Sequence, residues 1–200
     1  MKTLVTLLAL TLAIPAFAQT EIKVDSPAPA FSVKDASGKA HSLADAKGKW
    51  VVLEWYNKDC PYVRKHYDSK NMQGLQTKYM AQGVTWYTVI SSATGKQGFL
   101  ANAEVAPNFT KEGAKPTAVL IDTDGAMGKA YGAKTTPHMY VINPEGKVVY
   151  AGAIDDNNSA NPKVIPTSKN FVAAALEAGM AGKPVETKAT AAYGCAVKYN

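Results

Sequence analysis

The sequence predicts an α/β domain with a mixed central β-sheet, helices on both faces and a β-hairpin at its N-terminal end. Short apolar, β-favouring runs alternate with stretches whose apolar residues have helical spacing. Turn signals rich in Gly, Asp and Asn join neighbouring runs near both ends of the chain. The 200-residue chain is long enough for one domain with a sizeable core.

The first 18 residues have the pattern of a secretory signal peptide. Lys2 is followed by an apolar run over 4–14 and then by the small-x-small sequence at 16–18. We therefore expect a soluble, exported protein that is periplasmic or secreted and has no membrane attachment after cleavage. An uncleaved anchor is the alternative. The mature chain is expected to form one domain over 19–182, followed by a C-terminal tail over 183–200.

The first elements after the lead-in are a hairpin and a connector. Residues 31–33 and 39–41 flank the turn at 35–38, which is a hairpin signal. Residues 42–49 are expected to connect it to the next strand with at most one helical turn. The net charge of +6 is spread along the chain without a long basic run, so no nucleic-acid partner is expected.

The stretch over 51–63 organises the rest of the chain. An apolar strand and a polar turn lead to Cys60, which is followed directly by Pro61. Because proline is favoured at the first position of a helix, Cys60 is expected at a helix N-terminus. Unpaired N–H groups and the helix dipole stabilise a reactive thiolate there. A small buried residue, or half of a static disulfide, is the alternative interpretation of Cys60.

The remaining elements complete the predicted sheet. The helix from Pro61 is expected to be interrupted near Asp68 and Ser69 and to end at Gly83, and the strands on either side of it should be parallel. Further elements are expected in this order: a strand over 84–91, a weakly helical insert over 95–113, a strand over 117–121, a short helix over 127–131, a hairpin over 139–150, and a helix that is capped by Ser168 and ends near 182.

Several stretches match a known family. The matching residues are Ala28 to Val33 with Ser37 to Lys39, Val51 to Val63, Thr135 to Ile142, and Gly146-Lys147 with Tyr150 to Gly152. The chain resembles the thioredoxin-like redoxins. Within that family it is most similar to the branch that groups extracytoplasmic thiol-disulfide oxidoreductases with alkyl hydroperoxide reductase and thiol-specific antioxidant proteins.

The resemblance implies a thioredoxin-like fold and a role for four residues. Cys60 would be the redox-active nucleophile at the start of a helix. Thr136-Pro137 would be the cis-proline pair that faces it, with the Thr136 backbone free to pair with an extended substrate. Glu54 would be a buried carboxylate that relays a proton to or from the sulfur.

The chain also departs from the family patterns. Val63 stands where a thioredoxin-type site has its second cysteine. Leu53 and Asn57 stand where a peroxidase-type site has proline and threonine or serine. Cys195 is the other cysteine of the chain, and its tail is expected to be mobile, so Cys195 is a possible resolving cysteine.

Two enzymatic hypotheses follow. In the first, Cys60 attacks a disulfide or an oxidised sulfur of a protein partner and Cys195 resolves the mixed species, while Arg64 and Lys58 favour the thiolate. In the second, Cys60 reduces a hydroperoxide as an antioxidant peroxidase and its sulfenic acid condenses with Cys195. No cofactor is expected in either case.

Two non-enzymatic hypotheses remain open. Cys60 and His138 are weak candidates for copper ligands, whereas His66 is expected on a helix surface. Alternatively, a permanent Cys60–Cys195 disulfide would stabilise a non-catalytic binding domain.

Overall fold

The computed structural model describes residues 22–200. The signal-peptide prediction for 1–18, and with it the expected start of the mature chain at 19, lies outside the described residues. Within 22–200, no helix combines the length and the apolar character that crossing a membrane requires.

The described part of the chain alternates strands and helices. The strands are β1 (Ser32–Lys34), β2 (Ala40–Ser42), β3 (Val51–Trp55), β4 (Thr85–Ile90), β5 (Ala118–Ile121), β6 (Thr135–Thr136), β7 (Met139–Ile142), β8 (Val148–Gly152) and β9 (Cys195–Ala196). The helices are α1 (Pro61–Asp68), α2 (Asn71–Met80), α3 (Asn102–Glu112), α4 (Ala126–Ala130) and α5 (Phe171–Met180). Leu43–Ala46 and Pro162–Thr167 form 3-10 turns.

The central sheet has the strand order β5-β4-β3-β7-β8. β3, β4 and β5 are parallel, while β7 and β8 run antiparallel to their neighbours. β3 lies at the centre and all five of its residues are buried, which explains its nearly continuous apolar sequence. The predicted mixed sheet, the β3–β4 pairing and the β1–β2 hairpin are confirmed.

Helices cover both faces of the sheet, as predicted. Side chains alternate along β3, so Val52 faces the apolar cluster beneath α1, α2, α3 and α5. Val51, Leu53 and Trp55 face the opposite cluster, which α4 and the 3-10 turn Leu43–Ala46 cover. This arrangement agrees with the thioredoxin-like fold that the resemblance implies.

The break between α1 and α2 and the start of α5 can be compared with the boundaries predicted from the sequence. The predicted interruption at Asp68 and Ser69 is confirmed, because α1 ends at Asp68 and α2 begins at Asn71. The prediction that Ser168 caps α5 is wrong. The cap is Asn170, whose side-chain oxygen accepts a hydrogen bond from the Ala173 N–H at 2.8 Å. Ser168 instead donates to the Val164 carbonyl at 2.8 Å, within the preceding 3-10 turn.

The tail (residues 183–200) packs back onto the domain. Its β9 pairs antiparallel with β6, next to the start of α1. On one side of β9, the Thr190 N–H donates to the Ala151 carbonyl at 3.1 Å. On the other side, the Val197 N–H donates to the Lys134 carbonyl at 3.0 Å. The sequence lacks periodicity here because hydrogen bonds to several separate elements, rather than one apolar face, hold the tail.

Candidate active site

Cys60 lies where the sequence placed it. It is the N-cap residue of α1, in an extended conformation, and Pro61 is the first helical residue. The Cys60 carbonyl accepts the Arg64 N–H at 2.9 Å, which begins the helical hydrogen-bond pattern. The Cys60 side chain is fully buried. The nucleophile candidate is therefore positioned by the core but has no exposed surface in this conformation.

The tail covers Cys60. Cys195 pairs with Thr136 in the β6–β9 ladder, and the Thr136–Pro137 peptide bond is cis, as the resemblance implies. The Cys60 thiol lies 3.0 Å from the Thr136 carbonyl, and the Cys195 N–H donates to the Cys60 Sγ at 3.4 Å. Gly194 allows this approach, because a Cβ at that position would lie 2.0 Å from the Thr136 carbonyl oxygen. Cys195, a residue distant in sequence, thus lies against Cys60.

The two thiols differ in acidity, and both are free. Burial opposes ionisation of Cys60, but hydrogen bonds from the Cys195 side chain and backbone outweigh it and lower the Cys60 pKa. Burial raises the pKa of Cys195 to about 11, and its contact with the Cys60 sulfur acts in the same direction. As pH rises, Cys60 therefore loses its proton before Cys195 does.

Arg64 and Lys58 both bind carboxylates, and their expected effect on the Cys60 thiolate stays a prediction. The Arg64 guanidinium binds the carboxylates of Asp68 and Glu112. The Lys58 ammonium lies 2.8 Å from Asp59. The hydrogen bonds that lower the Cys60 pKa come mainly from Cys195, a residue whose proximity the sequence does not reveal, with smaller contributions from Thr136 and from the Val63 N–H at the start of α1.

Glu54 is fully buried, as the resemblance implies. Its Oε1 accepts the Tyr67 hydroxyl at 2.7 Å, and its Oε2 accepts the Trp86 Nε1–H at 2.9 Å and the Thr88 hydroxyl at 3.2 Å. Burial outweighs these donors and raises the pKa of Glu54 to about 7. Proton relay by Glu54 stays a prediction, since both of its oxygens are engaged by these core residues.

His138 is buried beside Tyr140, and the two ring centroids are 4.7 Å apart. Its Nδ1 accepts the Lys134 N–H at 3.2 Å, and burial lowers the pKa of His138 to about 4. Over residues 22–200, no group of three or more His, Cys, Asp and Glu side chains is arranged to hold a metal ion. Nothing in the described structure therefore supports the copper hypothesis.

The sequence analysis missed a buried polar cluster beside the tail. Lys65, His66 and Asp155 are 1%, 0% and 3% exposed, and they surround the Tyr193 hydroxyl. The expectation of His66 on a helix surface is wrong. The spacing of Val63, His66 and Tyr67 was a signal for burial, because residues three and four apart lie on one helix face. The sequence carried no corresponding signal for Asp155.

A family model described as the AhpC/TSA family matches residues 24–151. The chain belongs to the AhpC/TSA family. It is 31% identical over 128 residues to the thiol-disulfide oxidoreductase ResA of Bacillus subtilis (strain 168). That match covers 64% of this chain and 66% of the relative, just under two thirds of the relative's length.

Solved structures share the fold of this AhpC/TSA protein. An uncharacterized conserved protein from Geobacillus kaustophilus has a TM-score of 0.76 and 26% identity, covering 94% of this chain and 98% of that one. The thioredoxin domain of a thiol-disulfide oxidoreductase from Bacteroides vulgatus has a TM-score of 0.53 and 20% identity, covering 74% and 98%. The expected redoxin family and thioredoxin-like fold are confirmed. The relative in Bacillus subtilis is itself named a thiol-disulfide oxidoreductase.

The family match and the tail do not overlap. The match to the family model ends at residue 151, whereas Asp155, Tyr193 and Cys195 all follow that residue. The family assignment therefore covers Cys60, Glu54 and the Thr136-Pro137 pair but does not itself assign a role to the tail.

Proposed function

We propose that this AhpC/TSA protein is an exported thiol-disulfide oxidoreductase that acts on a protein partner, with Cys60 as nucleophile and Cys195 as resolving cysteine. The observation that carries this proposal is the contact between the two cysteines, in which the Cys195 N–H donates to the Cys60 Sγ at 3.4 Å. The thiol-disulfide oxidoreductase named among the relatives supports the reaction class. The signal-peptide pattern of the first 18 residues supports export.

The first step is an attack on a partner disulfide. The Cys60 thiolate forms a bond to one sulfur of that disulfide, and the other sulfur leaves as a thiolate that takes up a proton. The product is a mixed disulfide between Cys60 and the partner. The lowered Cys60 pKa favours this step, because the thiolate is the attacking species.

The second step is resolution by Cys195. The Cys195 thiol loses its proton and attacks the Cys60 sulfur, which releases the second partner sulfur as a thiolate and leaves a Cys60–Cys195 disulfide. The negative charge on Cys60, which helps to raise the Cys195 pKa, is absent from the mixed disulfide. Cys195 therefore ionises more readily when it is needed. A dithiol protein then reduces the enzyme disulfide, and the same steps in reverse would oxidise a partner dithiol.

Access to Cys60 requires the tail to move. Cys60 is fully buried, and Cys195 occupies the Thr136 backbone in the β6–β9 ladder. An extended partner segment that pairs with Thr136 would displace β9 and reach the Cys60 sulfur at the same time. The short β9, two residues in length, is consistent with a segment that is exchanged during the reaction.

The other functions considered have less support. Leu53 and Asn57 occupy the positions of the peroxidase pattern, and the curated relative is an oxidoreductase of thiols and disulfides rather than a peroxidase. A permanent structural disulfide would leave Cys60 no nucleophilic role, whereas the relative is named for thiol-disulfide exchange. We therefore place hydroperoxide reduction and a non-catalytic role behind thiol-disulfide exchange.

Trapping of the mixed disulfide tests this proposal. Cys195→Ser is expected to accumulate a Cys60 adduct when the mature protein is mixed with an excess of a disulfide-containing protein, because the first step proceeds and the second is lost. Cys60→Ser is the control and should trap nothing. Non-reducing mass mapping identifies the linked peptides. If wild-type protein forms no Cys60–Cys195 peptide under a disulfide oxidant and Cys195→Ser traps no adduct, the two-cysteine mechanism is wrong.

A further inference from the structure

The buried cluster beside the tail connects the helix that follows Cys60 to the tail segment that precedes Cys195. Lys65 and His66 lie on α1, the helix that begins directly after Cys60. Tyr193 lies on the tail, two residues before Cys195. Asp155 follows β8 and completes the cluster. A contact between α1 and Tyr193 therefore fixes the distance between the segments that carry the two sulfurs.

The cluster contains a buried ion pair, Lys65 with Asp155. Lysine is almost never fully buried unless it is paired. The Lys65 Nζ lies 2.9 Å from Asp155 Oδ2, and it donates to the Asn157 carbonyl at 2.7 Å and to the Tyr193 hydroxyl at 3.2 Å. Three partners use all three donors of the ammonium group. The Lys65–Asp155 ion pair is therefore buried with all of its ammonium donors satisfied, and the tail supplies one of the acceptors.

His66 completes the shell around the Tyr193 oxygen. Burial lowers the pKa of His66 to about 4, so its imidazole is neutral at physiological pH. The Asn71 amide donates to His66 Nδ1 at 2.8 Å, which leaves the proton on Nε2. That Nε2–H points to the Tyr193 oxygen at 3.3 Å, while the Tyr193 hydroxyl donates to Asp155. The Tyr193 oxygen therefore donates one hydrogen bond and accepts two, which is its full capacity.

We propose that Tyr193 is a positioning residue for thiol-disulfide exchange, because the Lys65–His66–Asp155 cluster binds its hydroxyl and thereby keeps Cys195 against Cys60. This inference rests on the proposed function. A docked tail has already lost the conformational freedom that disulfide closure would otherwise cost, so the effective concentration of Cys195 at Cys60 is high. The same docking keeps the Cys195 N–H on the Cys60 sulfur, which lowers the Cys60 pKa.

Tyr193→Phe isolates the hydroxyl. Phenylalanine keeps the ring that packs on Tyr62, whose ring centroid lies 5.6 Å away, and Lys65 keeps Asp155 and the Asn157 carbonyl. The variant is therefore expected to fold, and a melting curve checks this. In glutathione redox buffers, its Cys60–Cys195 disulfide is expected to be about tenfold less favoured than in wild type, which corresponds to about 30 mV for this two-electron couple. Its Cys60 pKa, followed by alkylation against pH, is expected to rise.

Two matched variants decide whether the cluster is responsible. Tyr62→Phe removes a hydroxyl from the same ring pair but not from the cluster, and its disulfide equilibrium should stay within about twofold of wild type. Tyr199→Phe removes a different tail contact, the hydrogen bond to the Ala133 carbonyl at 2.8 Å. A disulfide equilibrium unchanged in Tyr193→Phe would overturn the proposal. So would an equal fall in Tyr199→Phe, since any loosening of the tail would then be sufficient.

The outcome is separable from that of the proposed function. If Cys195→Ser traps a Cys60 adduct but Tyr193→Phe leaves the disulfide equilibrium and the Cys60 pKa unchanged, exchange stands and the positioning role is wrong. If wild type forms no Cys60–Cys195 disulfide in any glutathione buffer, the two-cysteine mechanism itself fails.

Discussion

The two cysteines belong to regions that are held in place by different means. The β3–α1 segment carries Cys60 and lies inside the core, with β3 paired on both sides and completely buried. The tail carries Cys195 and lies on the surface of that core, where a two-residue strand and separate hydrogen bonds hold it. The comparison indicates that one sulfur has a fixed position and the other a position that can be released without unfolding the domain.

The two cysteines also differ in the direction of their pKa shifts. The Cys60 pKa is lowered by donors that the tail supplies, whereas the Cys195 pKa is raised by burial and by the Cys60 sulfur. The acidity of Cys60 therefore depends on the docking of the tail that carries Cys195. Variants of the buried cluster that joins tail and core, of the core itself, and of the tail should separate the effects of each region on stability and on Cys60 reactivity.

The largest effect on stability is expected at the junction of the two regions. Lys65→Met leaves Asp155 buried without its cation, which should lower the free energy of unfolding by about 3–5 kcal/mol. Lys78→Met is the matched control, because Lys78 forms an exposed ion pair with Glu177 and should cost at most about 1 kcal/mol. Denaturant unfolding measures both. Equal losses in the two variants would contradict the expectation that the buried Lys65–Asp155 pair matters more to stability than an exposed ion pair.

The next effect is expected within the core and depends on pH. With a pKa of about 7 when folded and 4.5 in the unfolded chain, Glu54 keeps its proton in the folded state while the unfolded chain releases it between these pH values. Wild-type stability should therefore fall as pH rises through this window, by on the order of 3 kcal/mol.

Glu54→Gln removes this titration and tests the preceding expectation. The stability of the variant relative to wild type should improve between about pH 4 and about pH 8, because only wild type carries the ionisation penalty at the higher pH. Urea unfolding at the two pH values measures the difference. A constant difference across the window would contradict the raised Glu54 pKa.

The smallest effect on stability is expected in the tail, with a large change in reactivity. Gly194→Ala places a Cβ against the Thr136 carbonyl at a φ of +129°, so β9 should leave β6 while the core remains folded. Cys60 alkylation well above its pKa should become roughly tenfold faster or more, because the tail no longer covers the sulfur. The Cys60 pKa should rise as the Cys195 donors are lost.

A second glycine provides the control for that variant. Gly182→Ala introduces the same kind of backbone penalty at a φ of +69°, but a Cβ there meets nothing within 4 Å. Its Cys60 alkylation rate should match that of wild type. If Gly194→Ala alkylates no faster than Gly182→Ala, docking of β9 does not control access to Cys60.

Most of the core could be predicted from the sequence. The order of strands and helices, the parallel β3–β4 pair and the place of Cys60 at the start of α1 follow from local patterns, because apolar periodicity, glycine turns and the Cys60-Pro61 pair act over short distances. The cis Thr136–Pro137 bond and the burial of Glu54 came from the resemblance. The cap of α5 was misplaced by two residues, since Ser168 and Asn170 have similar local preferences.

The sequence by itself determined the fold of this protein and the nucleophile candidate, and it identified Cys195 as the other thiol. Only the tertiary structure decided that Cys195 lies on Cys60, that its thiol and N–H lower the Cys60 pKa, and that Tyr193 is bound by Lys65, His66 and Asp155. The physical reason is distance along the chain. These contacts join residues that are between 38 and 135 positions apart, so each depends on side chains that no local propensity or periodicity brings together.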